Sequence, residues 1–135
     1  MKTMKVDLCV VGAAGGGLAS AVRAKQLGVE KIVVLEKMKK PGGCTQMAAG
    51  MFGLNSPVQE RFGLHYDVDQ AFLELIQVLN WDVDAMLVRK WINGSGENIR
   101  WLEEQGMEFD SVEPFNGVKD KVRSTYHMSK KSGYR

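Results

Sequence analysis

The residues best placed to do chemistry are a run of glycines and one carboxylate. Gly12-Ala13-Ala14-Gly15-Gly16-Gly17 follows at once on the apolar run Val6 to Val11, and Glu36 closes a second apolar run, Lys31 to Leu35. In a G-x-G-x-x-G pattern, Gly12 makes the tight turn out of a strand and Gly17 lets helix and strand approach closely. The middle position, where backbone comes nearest a pyrophosphate, holds Ala14, while Gly15 and Gly16 keep the neighbouring backbone bare. A pyrophosphate would rest on the free N–H groups at the helix start, where an anion gains about 0.3–1 kcal/mol from the helix dipole. About twenty residues on, Glu36 is placed to accept both hydroxyls of an adenosine ribose and to repel a 2′-phosphate, which argues against NADP. A glycine-rich turn without a ligand is the plain alternative. Strand, turn, helix, strand and acid in register favour a dinucleotide, and FAD and NAD share that fingerprint.

The loop that follows decides between them. Glu36-Lys37 leads to Gly42-Gly43, then Cys44-Thr45, then Ala49-Gly50. Here the chain resembles the FAD-binding superfamily that includes the flavoprotein subunits of fumarate reductase and succinate dehydrogenase, soluble fumarate reductases, L-aspartate oxidase, urocanate reductase and 3-ketosteroid dehydrogenases. The resemblance extends through Gly96 to Phe109, where a helix, a glycine and a strand follow the flavin loop. Its departures are Ala14 for the second glycine and Met51 for the second glycine of the later pair.

This resemblance implies FAD as cofactor, held by Gly12, Ala14, Gly15, Gly16, Gly17, Glu36, Lys37, Gly43, Cys44, Thr45, Ala49 and Gly50. FAD is long, so the chain must reach the isoalloxazine with bare backbone, and Gly42, Gly43 and Gly50 allow a close approach. Cys44 falls where succinate dehydrogenase relatives carry a histidine bonded to the flavin. A cysteine there serves either as the small filler most relatives have or as a covalent attachment point. The implied function is the FAD-binding portion of a fumarate reductase-like oxidoreductase, which transfers hydride between flavin and a small organic substrate. An electron-transfer partner is a further implication. In the resembled family the substrate is activated by arginine and histidine far downstream, so we expect the chain to stop before them and to be inactive alone. The competing readings are a non-catalytic dinucleotide-binding or interaction module, and the remnant of a truncated gene.

The elements needed to position these residues follow from periodicity. Both apolar runs are continuous, as suits strands covered on both faces of a parallel sheet. Gly15 to about Leu27 reads as a helix with Gly28 as its stop. The fold class is therefore α/β: a Rossmann-like FAD-binding domain with a βαβ unit and glycine turn, incomplete, with a helical insertion after the flavin loop. The expected organisation is βαβ over 1–36, an irregular flavin loop over 37–56, mainly helix over 67–109, and loop over 110–135. Within the helical part, Phe72, Leu75, Ile76 and Leu79 form one apolar stripe. Asp82 or Asp84 caps a second helix to about Ile92, and Ser95 caps a third to Gln105.

Composition sets the outer bounds. The 135 residues are 44% hydrophobic and 25% charged with a net charge of +2, which fits one globular domain and points to neither nucleic acid nor membrane. Lys119, Lys121, Arg123, Lys130, Lys131 and Arg135 against Asp120 make a basic tail, read as a solvated loop rather than an RNA-binding arm. Cys9 and Cys44 suit neither a disulfide framework nor a zinc site, and reduced cytoplasmic thiols are expected. Lys2, Lys5 and Ala19-Ser20-Ala21 imitate a secretory signal, but Asp7 and the glycines break its apolar core. No run has the roughly 20 apolar residues of a membrane span. His65 reads as a surface residue, Met47, Met51 and Met107 as apolar filler, and His127 takes no assigned catalytic role.

Overall fold

A computed structural model describes residues 3–48, 50–114 and 123–130, and the chain divides into two compact units, residues 1–48 and 49–135. In the first unit, strand β1 (Leu8–Val11) leads through the glycine turn to helix α1 (Gly15–Gln26) and then to strand β2 (Ile32–Leu35). β1 and β2 pair in parallel from Leu8 opposite Ile32 to Val11 opposite Leu35. Asp7 sets this register at its start by accepting from the Lys31 amide at 2.9 Å, and the Gly12 amide extends the ladder to the Leu35 carbonyl at 2.7 Å. α1 stops where Gly28 takes φ +93°, with Arg23 and Lys25 in its last turn facing the negative end of the helix dipole.

The apolar runs suggest strands covered on both faces, and within this unit the structure covers only one. Val10 lies toward Gly17 of α1, whereas Cys9 is exposed and Val11 is 84% exposed. A continuous β-branched run records the need for cover without naming which segment provides it.

The second unit contains strand β3 (Met51–Phe52), helices α2 (Pro57–Arg61), α3 (Val68–Val78) and α4 (Ala85–Glu104), and strands β4 (Phe109–Pro114) and β5 (Ser124–Ser129). The strands form an antiparallel sheet in the order β3-β5-β4. Each helix start has a side-chain cap. Ser56 and Gln59 form a capping box with Pro57 at the first position of α2, Asp67 accepts from the Gln70 amide, and Asp84 accepts from the Met86 and Leu87 amides. Two apolar clusters make the core: Leu54, Ala71, Ile76, Val88 and Ile92 between α3 and α4, and Val58, Ile99 and Phe109 where α2 and α4 meet the sheet.

The structure departs from the sequence expectation at two places, in the long helix and after it. The separate helices expected to end near Ile92 and to begin at Ser95 are one continuous helix, α4. Gly94, Ser95 and Gly96 do not break it. Ser95 Oγ donates to the Ile92 carbonyl and accepts from the Leu54 amide, and the Leu54 and Asn55 carbonyls press so close that Gly96 has no room for a Cβ. The small residues serve a close approach, for which α4 accepts the roughly 1 kcal/mol that a glycine costs a helix interior.

The loop expected over 110–135 is also wrong where it is described, since β4 and β5 occupy 109–114 and 124–129. The inward positions of β5 hold Thr125 and His127, so its period of two is written in polar residues. The remainder of that expected loop, 115–122 and 131–135, lies outside the described residues. The expected irregular segment 37–56 in turn contains a 3-10 turn, Gly43–Met47, and the short strand β3.

Candidate flavin-binding site

The glycine turn in the first unit is built around one carboxylate. Glu36, directly after β2, accepts from the Ala13 amide with Oε2 at 2.8 Å and from the Met38 amide with Oε1 at 2.9 Å. The Ala13 hydrogen bond, then that of Met38, hold the Glu36 carboxyl below the usual carboxylate range against an opposing desolvation, and the Lys37 amide and ammonium add lesser effects in the same direction. The charge therefore stays fixed at the mouth of the turn. Gly12 takes φ +101°, a conformation that glycine adopts freely, and leads into Ala13, which is only 4% exposed.

α1 starts without a side-chain cap on its Ala14 boundary and without an acid in its first turn. Its first N–H groups have no partner within the helix. That of Gly15 is met by Thr45 Oγ1 at 3.0 Å. A Cβ on Gly17 would run into the Gly12 carbonyl oxygen, so helix and strand approach through bare backbone. A Cβ on Gly12 or Gly16 would instead meet nothing within 4 Å, leaving open space beside the turn. These features fit a diphosphate: orphan N–H donors, clearance beside glycine backbone, and no acid in the first turn of the helix.

The second loop is laid against the first. Gly42 bridges to Ala14 in parallel, and its amide donates to the Ala13 carbonyl at 2.7 Å. Gly42 and Gly43 have φ +117° and +49°, and a Cβ on Gly43 would sit 3.2 Å from the Ala14 methyl. The Ala14 methyl is thus turned toward the loop glycine. The Gln46 side chain donates to the Pro41 carbonyl at 2.6 Å and closes the loop. Cys44 and Lys37 are exposed.

The structure accordingly brings Gly12, Ala14, Gly15, Gly16, Gly17, Glu36, Gly43, Cys44 and Thr45 into one unit, together with Lys37. Gly50 belongs to the second unit, where a Cβ would meet the His127 carbonyl oxygen at 2.7 Å, and Ala49 lies outside the described residues. Met47 is 66% exposed and fills no core, whereas Met51 and Met107 pack against the second apolar cluster. His65 is exposed. Of the basic tail, Arg123 pairs with Glu74 at 3.0 Å and Lys130 with Glu108 at 3.1 Å.

Sequence reasoning missed a buried polar cluster in the second unit. His127, Ser56 and Gln59 are each 0% exposed. His127 Nε2 lies 2.6 Å from Ser56 Oγ, while Nδ1 faces the Thr125 and Met51 carbonyls at 3.1 and 3.2 Å. Two carbonyls at Nδ1 assign the proton there, so Nε2 accepts from the Ser56 hydroxyl, which in turn accepts from the Gln59 amide at 3.1 Å. Burial pushes the imidazole pKa below its usual value against the pull of the Thr125 and Met51 carbonyls. A serine that caps a helix out of reach of solvent is no nucleophile, and this cluster is a clasp joining β3, α2 and β5. Ser56-Pro57-Val58-Gln59, a capping box with proline at the first helical position, was the available signal.

A strand, a glycine turn, an uncapped helix start and an acid directly after the next parallel strand define a dinucleotide-binding α/β fold. The sequence family described as FAD binding domain matches residues 7–134, and the chain belongs to it. Its cofactor is FAD. Relatives include the vinyl phenol reductase of Lactiplantibacillus plantarum, 26% identical over 94% of this chain and 25% of that protein. The urocanate reductase of Eggerthella lenta is 32% identical over 90% of this chain and 20% of its own length. The NADH:fumarate oxidoreductase of Klebsiella pneumoniae is 26% identical over 95% and 14%. The open conformation of a flavocytochrome c3 fumarate reductase superimposes with a TM-score of 0.79 at 22% identity, covering 96% of this chain and 22% of that one. The chain therefore spans a quarter or less of the length of these relatives. Among the described residues, no helix is long and apolar enough to cross a membrane, and no group of three or more His, Cys, Asp or Glu is placed to hold a metal ion.

Proposed function

We propose that the first unit holds the ADP half of FAD and that the whole protein is a flavin-dependent reductase of activated carbon–carbon double bonds. The observation that carries the first part is the Glu36 carboxylate, pinned by the Ala13 amide beside the uncapped start of α1. Glu36 has lone pairs left to accept from the two ribose hydroxyls. The α1 amides and the bare backbone at Gly12, Gly15 and Gly16 receive the diphosphate, with Thr45 beside them, and Lys37 lies close by on the chain. Gly43 and Cys44, in the loop laid against the glycine turn, would lie toward the isoalloxazine. Bound FAD supplies the hydride exchanged with the substrate carbon, and the protein orients and desolvates the two. The substrate class rests on the relatives' names, since fumarate and urocanate each contain a carbon–carbon double bond conjugated to a carboxylate and a vinyl phenol contains one conjugated to an aromatic ring. An electron-transfer partner would reload the flavin.

The test uses the whole protein purified with its flavin. Glu36→Gln and Glu36→Ala are expected to lower the FAD-to-protein ratio while circular dichroism stays unchanged. Undiminished FAD retention in both variants would remove Glu36 from the site. Separately, the reduced holoprotein is mixed without oxygen with fumarate, urocanate or 4-vinylphenol, and the return of oxidised-flavin absorbance is followed. Reoxidation by none of the three would refute the substrate class while leaving the cofactor site standing.

A further inference from the structure

Outside the flavin site, the second unit has an open groove of about 540 Å³ between α3 and the first half of α4, lined by Phe72, Ala85, Met86, Arg89, Lys90 and Asn93. The α4 members recur at intervals of four, Ala85 with Arg89 and Asn93, and Met86 with Lys90, so they share one helix face. The groove is mostly apolar, with a few donors at its rim. Phe72, Ala85 and Met86 make the wall, and Met86 is 84% exposed on an unbranched, adaptable side chain. On the rim, Arg89 is held in place: its guanidinium lies 3.9 Å over the Phe72 ring, and Nη1 pairs with Asp69 at 2.6 Å. Asp69 neutralises part of that charge. Lys90 is exposed and among the described residues its ammonium has no carboxylate partner, and Asn93 adds an amide donor. Among the described residues no carboxylate lines the groove itself, and Asp69 reaches it only through its pair with Arg89.

We infer that this groove is a binding site for a small monocarboxylate with an apolar tail or ring, its carboxylate on Lys90 and Asn93 beside Arg89 and its apolar body against Phe72 and Met86. The reasoning is charge complementarity over an apolar floor. With Arg89 paired to Asp69, Lys90 leaves the rim a net positive charge, which disfavours a cationic ligand and leaves a neutral one without a counter-charge, and the volume falls in the range of small-molecule sites. Because the groove is open, the carboxylate is needed for orientation and the apolar body for affinity.

The experiment titrates the full chain, loaded with FAD and carrying ¹³C-methyl methionine, with octanoate and, in parallel, with octanol. The Met86 methyl resonance is expected to shift saturably with octanoate and at least tenfold more weakly with octanol. Lys90→Glu is expected to weaken octanoate tenfold or more while leaving the octanol response unchanged. Both partners of the substitution are exposed, so flavin content and circular dichroism serve as the check on folding. A Met86 resonance that does not move, equal responses to octanoate and octanol, or undiminished octanoate binding by Lys90→Glu would each overturn the inference. A response to phosphatidylglycerol vesicles without one to octanoate would also overturn it, by making the surface a membrane contact.

Discussion

Removing one hydroxyl at the centre of the buried clasp tests the second unit most directly. Ser56→Ala deletes the oxygen that accepts from the Gln59 amide and donates to His127 Nε2. Loss of an N-cap costs about 1 kcal/mol. Leaving a buried acceptor such as Nε2 unsatisfied costs about 1–3 kcal/mol more. Ser56 and His127 are both fully buried, so water cannot readily replace the missing partner. The sum is about 2–4 kcal/mol, a large part of the total stability of a typical domain. With tenfold in population for each 1.4 kcal/mol or so, protection of the β5 amides should fall by about thirtyfold to a thousandfold. Hydrogen exchange read by mass spectrometry on peptides covering Ser124–Ser129, with peptides from β1 and β2 as an internal reference, measures this. A loss of less than about 0.5 kcal/mol, roughly twofold in exchange, would mean that the Ser56–His127 contact does not hold the sheet to α2.

Three further outcomes follow from the same geometry. Gly17→Ala puts a methyl into the Gly12 carbonyl and within 3.3 Å of Val10, and should destabilise the first unit by about 1–3 kcal/mol despite the better helix propensity of alanine; unchanged flavin retention and melting temperature would contradict it. Because burial keeps His127 neutral, the unfolded chain takes up a proton below its ordinary pKa of 6.5 while the folded chain does not, so stability is complete above that pH and falls below it. The loss approaches about 1.4 kcal/mol per pH unit until the lowered folded pKa is reached, and urea titrations from pH 7.5 to 5 should show a slope that His127→Asn reduces. Finally, Cys44 is an exposed residue of a short turn, and flavin should leave the acid-precipitated protein with no added mass on the Cys44 peptide; a flavin-sized increment there would establish a covalent link instead.

The glycine turn and its acid were readable because each is a local backbone requirement tied to a residue type. A strand must turn sharply at Gly12, a helix must touch that strand at Gly17, and a carboxylate must follow the next strand at Glu36. In the second unit the α3 stripe and the Asp84 cap were legible, whereas β5 and the middle of α4 were hidden for the opposite reason. Its β5 strand buries Thr125 and His127, and its α4 helix carries Gly94-Ser95-Gly96 through its middle, so hydrophobic periodicity and helix propensity both point the wrong way. What decides these segments is tertiary: a histidine finds carbonyls on β3 and β5 and a hydroxyl at the start of α2, and a helix gives up side chains where Leu54 and Asn55 come close. Neither relation has a fixed spacing along the chain.

The departure at Ala14 has a structural reason of the same tertiary kind. In a G-x-G-x-x-G turn the second glycine gives clearance, and an alanine there suggests a weakened cofactor site. Here the Ala14 methyl points at Gly43, whose missing side chain provides the room, while Gly42 forms the bridge to Ala14 and Thr45 closes over the Gly15 amide. The bulk added to the first loop is taken up by the second. Ala14 and the Gly42-Gly43 pair are therefore one feature: a side chain on Gly43 would be strained by its positive φ and would also meet the Ala14 methyl, so restoring glycine at position 14 can relieve only the second of these two penalties.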